Sequence, residues 1–390
     1  MRILIAPDKF KGTLSAREVG DAIAAGLGEV LPDAEINVVP MADGGEGTAD
    51  AISQALGATW VTCRAHDPMG REIEARYGWI EKPATAIMEM SEAAGMRRLK
   101  PNELNPDIAT TFGVGEMIVD ATNRGAKEII IGLGGSATND GGFGMARSLG
   151  FRFLGSVSLF SYLAARLGGK RLPIPEFTGP VTELRMLESI KKPENLSLPK
   201  IVAAVDVNNS LYGENGATRV FGPQKGAKPE QIEELERALL RLAEVFEQDF
   251  GVWYADERGA GAAGGLGFGL MSFCGAKISP GFEQVAKAVG LERKIKDADV
   301  VITGEGSLDR QTLEGKTPAG VTQLAHRHHK RVFALVGRST EDPEVRKMFD
   351  GVYTNARTGM SQEENMKRAA ELLQDNARQL AQELKKGSTS

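Results

Sequence analysis

RILIAPDKFKGTLSAREVGDAI, residues 2–23, contains a strand, a charged loop and a helix in immediate succession. RILIA (2–6) is apolar without alternation, as in a strand buried on both faces of a parallel sheet. Ser15 and Glu18 have the spacing of a capping box, and Val19, Ile23, Leu27 and Val30 follow on one helical face. Between them stands DKFKG (8–12). An extended loop there points Lys9 and Lys11 the same way and turns Phe10 inward.

The same order recurs along the chain. INVVP (36–40), AIMEM (86–90), EIIIGL (128–133), KIVAAV (200–205), DVVIT (299–303) and RVFALV (331–336) are buried-strand runs, most of them leading into glycine or acidic residues. Helical stripes run through Ile232, Leu235, Leu239, Leu242 and Phe246, and through Met366, Ala370, Leu373, Ala377, Leu380 and Leu384 behind a Ser361/Glu364 cap. Residues 57–82 differ: they alternate and turn at Asp67-Pro68-Met69-Gly70, which predicts a β-hairpin. The layout predicts a two-domain α/β protein. A Rossmann/flavodoxin-like parallel-sheet domain is split in sequence as 1–58 plus 290–390, and 59–289 form an inserted second α/β domain. The active site is expected in the cleft between them.

Composition excludes several function classes. With 47 basic and 52 acidic residues, the net charge of −5 gives no pull toward nucleic acid or anionic membrane. The length of 390 residues with 42% hydrophobic content supports two cores. Cys63 and Cys274 form no CxxC pair, so two reduced thiols in a cytoplasmic protein are expected. MRILIAPDKF is too short for a signal peptide, and no stretch approaches a membrane span. His326, His328 and His329 in AHRHHK read as a solvated helix end, and neither they nor His66 suggests a metal site.

The ends of the predicted strands concentrate the chemistry. They carry Asp8-Lys9-Phe10-Lys11-Gly12, Asp43-Gly44-Gly45-Glu46-Gly47, GGSATNDGG (134–142), Asp206-Val207-Asn208-Asn209 and Gly304-Glu305-Gly306-Ser307-Leu308-Asp309. Ligands of open α/β sheets bind beyond the carboxyl ends of the strands. Glycine there permits close backbone approach, free N–H groups favour anions, and carboxylates hold Mg²⁺ or accept a proton. Any one of these loops alone reads as a cap or turn; five in one chain point to a shared site. Two familiar motifs fail. Gly315-Lys316-Thr317 ends like a P-loop, but Arg310 stands where its first glycine belongs. Gly259, Gly261 and Gly264 satisfy G-x-G-x-x-G without a strand before them, and suit close packing or backbone contact with a phosphate.

Six stretches carry a resemblance: APDKFKGTLSA (6–16), PMADGGEGT (40–48), IGLGGSATNDGG (131–142), NGATRVFGPQKGA (215–227), GAGAAGGLG (259–267) and VITGEGSLDRQTLEGK (301–316). In this order they resemble the bacterial glycerate kinases of the GarK/GlxK type. The resemblance implies transfer of the γ-phosphoryl group of ATP to D-glycerate, with 2-phosphoglycerate as the favoured product, and a Mg²⁺ requirement. The implied partners are ATP and D-glycerate, with no nucleic acid or membrane partner; homo-oligomerisation is left open. The chain departs from the family at Val205 and Ser210, where Cys and Pro are frequent. It departs also at Ser307, where Arg is frequent, and at Gly155-Ser156-Val157-Ser158, where an Asp-Gly hairpin is usual.

Phosphoryl transfer requires an anion cradle, charge neutralisation and a positioned base. The expected cradle is Gly134, Gly135, Ser136, Thr138, Asn139 and Asp140 with Lys225. The expected Mg²⁺ carboxylates are Asp206 with Asp309 or Glu305. Asp8 or Asp43 is the expected base. Lys9 or Lys11 is the cation for the glycerate carboxylate, and Lys9, Glu46 and Lys316 are assigned to substrate binding. The expected catalytic set is thus Asp8, Lys11, Asp43, Asp206 and Asp309. Two rival readings keep the same motifs: a kinase for another small hydroxy acid, and a non-enzymatic nucleotide or metabolite sensor. The retained charged residues weigh against the sensor.

Overall fold

The structure is a computed structural model that describes residues 1–155, 176–310, 312, 316–340 and 342–387. It comprises two compact units, Met1–Leu56 with Pro280–Ser390, and Gly57–Ser279.

The first unit is built on five parallel strands in the order Glu35–Val38, Arg2–Pro7, Val300–Gly304, Arg331–Val336 and Gly351–Thr354. Numbered along the chain, this is 2-1-3-4-5, the doubly wound order whose switch point lies between the first and third strands. Ile3, Leu4, Ile5 and Ala6 are all buried, as the unbroken apolar run requires. Ser15 caps the helix Ala16–Val30: its Oγ accepts from the Glu18 N–H at 3.2 Å, and Glu18 Oε2 accepts from the Ser15 N–H at 2.8 Å. Val19, Ile23 and Leu27 of this helix share a core with Leu373, Ala377 and Leu380 of the helix Ala369–Gly387. Gly26 sets how closely the two helices approach, because a β-carbon there would lie 2.4 Å from the Gln374 carbonyl oxygen and 2.9 Å from Ala377 Cβ. Gly26→Val is therefore expected to cost about 1–3 kcal/mol through overpacking, read as a lowered melting temperature.

The predicted C-terminal stripe is broken. Residues Gln362–Lys367 and Ala369–Gly387 form two helices, with Ser361 Oγ accepting from the Glu364 N–H at 3.1 Å at the first cap. The break takes Met366 out of the core stripe and leaves it 37% exposed beside Gly12.

The second unit holds a mixed sheet in the order Lys277–Pro280, Lys200–Val205, Glu128–Gly132, Thr85–Glu89, Glu72–Ile80 and Thr59–His66. The strands at 200–205, 128–132 and 85–89 are mutually parallel. Those at 59–66 and 72–80 form the antiparallel hairpin, whose turn is fixed by the Gly70 N–H donating to the Asp67 carbonyl at 3.0 Å. The amphipathic helix Pro229–Phe250 buries Leu235, Leu239, Leu242 and Phe246. Gly155 ends the strand Arg152–Gly155, which pairs with Leu187–Lys191; Ser156, Val157 and Ser158 lie outside the described residues. No helix among the described residues is long and apolar enough to cross a membrane.

Candidate active site

In the first unit, the carboxyl ends of the first and third strands open into a cavity of about 630 Å³ lined by Asp8, Lys9, Lys11, Asp43, Glu305, Asp309, Lys316 and Arg338. It lies at the switch point of the sheet, where strand order reverses and the connecting loops diverge. Asp8 directly follows the first strand, and its N–H donates to the Gly304 carbonyl at 2.8 Å. Its carboxylate is nearly sealed from solvent, at 6% exposure. Oδ2 accepts from Thr317 Oγ1 at 2.6 Å and Oδ1 accepts from the Lys9 N–H at 2.7 Å. Burial, reinforced by the charge of Asp43, pushes the Asp8 carboxyl up to about 6 against the opposing pull of Lys9 and these hydrogen bonds.

Phe10 is buried in the sheet–helix core, while Lys9 and Lys11 both line the cavity. The chain does not stay fully extended, since the N–H groups of Thr13 and Leu14 return to the Phe10 carbonyl at 2.8 and 3.0 Å. Lys9 Nζ donates to the carbonyl oxygen of Glu46, which ties two strand-end loops together. The Glu46 side chain is exposed, and Glu46 is not among the residues lining this cavity, so its backbone is the part that serves the site. Asp43 is placed by a close approach: a β-carbon on Gly281 would lie 2.1 Å from the Asp43 carbonyl oxygen, so only glycine admits this loop against the start of the helix Gly281–Ala288.

Glu305 follows the third strand and is almost fully buried. Thr312 Oγ1 donates to its Oε1 at 2.6 Å and accepts from the Asp309 N–H at 3.2 Å, which fixes Glu305 and Asp309 in one turn. Burial pushes the Glu305 carboxyl up to about 7; Asp8 and Asp309 push the same way, while the Thr312 bond and Lys316 oppose. Lys316 is the N-cap residue of the helix Thr317–Arg327. Lys316-Thr317 thus begins a helix that supplies the Thr317 hydroxyl to Asp8.

The second unit presents its own strand-end loops. Gly134, Gly135 and Ser136 follow the strand Glu128–Gly132, with Gly135 at φ +68°. Their successive N–H groups have no protein partner among the described residues, while the Gly135 carbonyl accepts from the Met96 N–H at 2.9 Å. Such a run of backbone N–H groups suits an anion. The rest of the expected cradle faces inward. Asp140, 1% exposed, accepts from the Thr111 N–H and Oγ1 at 2.8 Å each and from the N–H groups of Gly142 and Gly144 at 3.0 Å, and burial holds its carboxyl above the usual range. Asn139 Nδ2 donates to Thr218 Oγ1 at 2.9 Å. Lys225 is 2% exposed and donates to the Thr138 carbonyl at 2.7 Å; burial pushes its ammonium down to about 7. Asp140, Asn139 and Lys225 therefore brace the loop from beneath, and the surface cation expected of Lys225 is not presented. Gly264, at φ +71°, packs where a β-carbon would lie 1.9 Å from the Thr138 carbonyl, so the glycine-rich run serves close packing against this loop. Asp206, exposed after the strand Lys200–Val205, belongs to this second unit, whereas Glu305 and Asp309 belong to the first.

The carboxylates around the first cavity fit Mg²⁺ by their chemistry. Burial raises Asp8 and Glu305, neighbouring carboxylates add to it, and a divalent cation would favour their charged forms. Among the described residues no three His, Cys, Asp or Glu side chains converge as a metal cage. Mg²⁺ that arrives with a nucleotide needs only one or two carboxylates beside phosphate and water.

Arg338, which lines this cavity, and Thr312 and Thr317, which hold its carboxylates, escaped the sequence reading. Thr317 was visible as the start of a helix in the failed P-loop, and Arg338 as the residue after Gly337 at the end of the RVFALV strand.

Comparison with known proteins agrees with the motifs. The model of the glycerate kinase family matches residues 3–385. The chain is 39% identical over 381 residues to a glycerate kinase of Halalkalibacterium halodurans, covering 97% of each chain. It is 42% identical over 349 residues to the glycerate 2-kinase of Escherichia coli K12, covering 88% of this chain and 87% of that one. A crystal structure from Salmonella typhimurium LT2, provisionally named glycerate kinase 2, superposes with a TM-score of 0.82 at 40% identity over the whole of both chains. By the extent of these matches, the chain belongs to the glycerate kinase family.

Proposed function

We propose that this protein transfers the γ-phosphoryl group of ATP to a hydroxyl of D-glycerate, yielding ADP and phosphoglycerate, with the 2-hydroxyl as the favoured acceptor. The observation that carries the reading is the cavity in which the buried Asp8 carboxylate stands among Lys9, Lys11 and Lys316. A buried carboxylate with affinity for a proton near neutrality suits a general base for a hydroxyl group. Lysines beside it suit a reactant that carries one carboxylate and gains a phosphate.

In the proposed mechanism Asp8, fixed by Thr317, accepts the proton of the attacking glycerate hydroxyl. Lys11 and Lys316 hold the acceptor's carboxylate and the migrating phosphoryl oxygens, and Lys9 keeps the Glu46 loop closed over Asp8. The N–H groups of Gly134, Gly135 and Ser136 are assigned to nucleotide phosphate. Asp309 and Glu305 would hold Mg²⁺, which when bound offsets the charge of the phosphoryl group. Asp43 keeps the affinity of Asp8 for its proton high.

A coupled assay with MgATP and D-glycerate, with NMR of the product, tests this reading. ADP release with D-glycerate and a 2-phosphate product are expected; release only with a different hydroxy acid would reassign the substrate. Lys11→Met is expected to lower kcat/KM for D-glycerate at least ~10-fold, or ~1.4 kcal/mol. Its melting temperature should not move, because Lys11 is exposed and an exposed lysine carries little folding energy.

A further inference from the structure

Arg338 follows Gly337 directly after the strand Arg331–Val336 and lines the carboxylate cavity. It is held at three points. Its N–H donates to the Gly306 carbonyl at 3.2 Å, and the Gly337 N–H donates to the Glu305 carbonyl at 3.1 Å. The two short strands Ser307–Leu308 and Arg338–Ser339 pair in parallel with Ser307 opposite Arg338, and Arg338 Nε donates to Ser307 Oγ at 3.0 Å. Gly337 permits this contact, since a β-carbon there would lie 2.5 Å from the Gly306 carbonyl oxygen. The guanidinium is thus anchored through Nε, and both terminal nitrogens remain as a planar fork. Among the described residues Arg338 makes no salt bridge, whereas nearby Arg310 is engaged by Asp342 at 2.8 Å. An arginine pinned by backbone and side chain, turned into a polar cavity and left without a carboxylate, is pre-organised for an anion of matching geometry.

We propose that Arg338, anchored by Ser307, binds the paired anionic oxygens of one reactant, either the carboxylate of the hydroxy acid or a phosphate of the nucleotide. This rests on the phosphoryl-transfer reading of the same cavity and adds to it a specificity-determining cation from a strand end outside the recognised motifs. Arg338 acts in binding: its fork meets oxygens that keep their charge throughout the reaction, so its loss appears in KM with little change in kcat.

The test measures kcat, both KM values and melting temperature for Arg338→Ser, Arg338→Lys and Ser307→Ala, with calorimetric titration of D-glycerate and of ATP separately. Arg338→Ser is expected to raise KM and Kd for one of the two at least ~10-fold, with kcat within ~3-fold, as for an interaction equal in ground and transition states. A rise confined to D-glycerate assigns the carboxylate; a rise confined to ATP assigns the phosphate. Arg338→Lys should recover less than half of the loss, because an ammonium lacks the fork. Ser307→Ala should shift the same constant in the same direction and less far, without altering the fold. Unchanged constants for Arg338→Ser, or full recovery with lysine, would overturn the proposal. Absence of turnover with D-glycerate in the unmodified protein would count against the proposed reaction alone; the ATP titrations of the unmodified and Arg338→Ser proteins would then still decide whether Arg338 binds an anion.

Discussion

Asp8→Asn is expected to lower kcat by about 10²–10⁴-fold, the range attributed to a positioned general base. The substitution keeps the shape of the side chain and one oxygen to accept from Thr317 Oγ1; the Lys9 N–H loses its acceptor, while the Asp8 N–H keeps its bond to the Gly304 carbonyl, so the loop should hold its place. The cost falls on proton transfer. The accompanying pH profile is specific. Burial and Asp43 place the Asp8 carboxyl at about 6, so the unmodified protein should lose kcat/KM as pH falls through that value and the base becomes protonated. The residual activity of Asp8→Asn should lack this limb. Asp43→Asn removes the neighbouring negative charge and should move the limb to lower pH. Stability runs the other way. The folded-state affinity of Asp8 for its proton is raised, so its contribution to stability is largest at low pH and declines as pH rises from the unfolded carboxylate range through about 6. At pH 7.5 the ionised, buried carboxylate opposes folding, and Asp8→Asn should melt no lower than the unmodified protein. A variant that keeps its turnover, or one that loses turnover together with much of its melting temperature, would show that Asp8 is a structural cap.

Much of the first unit was legible because parallel strands buried on both faces leave unbroken apolar runs. RILIA, DVVIT and RVFALV are such runs, and all three lie in one sheet. The fifth strand, Gly351–Thr354, has no such mark, since Gly351, Tyr353 and Thr354 flank a lone aliphatic residue, and edge position frees it from two-sided burial. The hairpin at 59–80 was legible for the opposite reason, since alternation records one buried face. The helical stripe from Met366 onward was misleading. Periodicity of 3.6 passes unbroken through Arg368, but the chain changes helix there and carries Met366 to the cavity wall. Among candidate site residues, those at strand ends were findable by position: Asp8, Lys9, Lys11, Asp43, Glu305 and Asp309 line one cavity. What position could not give was direction. Asn139, Asp140 and Lys225 are polar residues in a glycine-rich setting, yet their side chains close hydrogen bonds within the protein, and only tertiary contacts to Thr111, Thr218 and Thr138 reveal it. Thr312 and Thr317 were overlooked because a threonine that orients a carboxylate has no sequence signature apart from its partner.

Asp309→Asn should produce the second large effect, a fall of about 10²–10³-fold in kcat and kcat/KM together, equivalent to ~2.7–4 kcal/mol of transition-state stabilisation. Asp309 stands half-exposed on the cavity wall. Its backbone N–H is held by Thr312 Oγ1, and its carbonyl accepts from the Thr312 N–H at 2.9 Å, so the turn survives the change from carboxylate to amide. Ser307 Oγ donates to the Asp309 carboxylate at 3.4 Å, a distance that contributes little to folding. If Asp309 serves Mg²⁺, the Mg²⁺ concentration for half-maximal rate should rise in the variant. Removing its charge should also bring the Glu305 carboxyl down from about 7, since Asp309 is one of the groups that push it up. A turn residue would behave differently: loss of a cap costs ~1 kcal/mol of stability and leaves turnover nearly intact. Kinetics at several Mg²⁺ concentrations and a thermal melt of the same variant separate the two, and a lowered melt with unaltered kinetics would remove Asp309 from the metal-binding set.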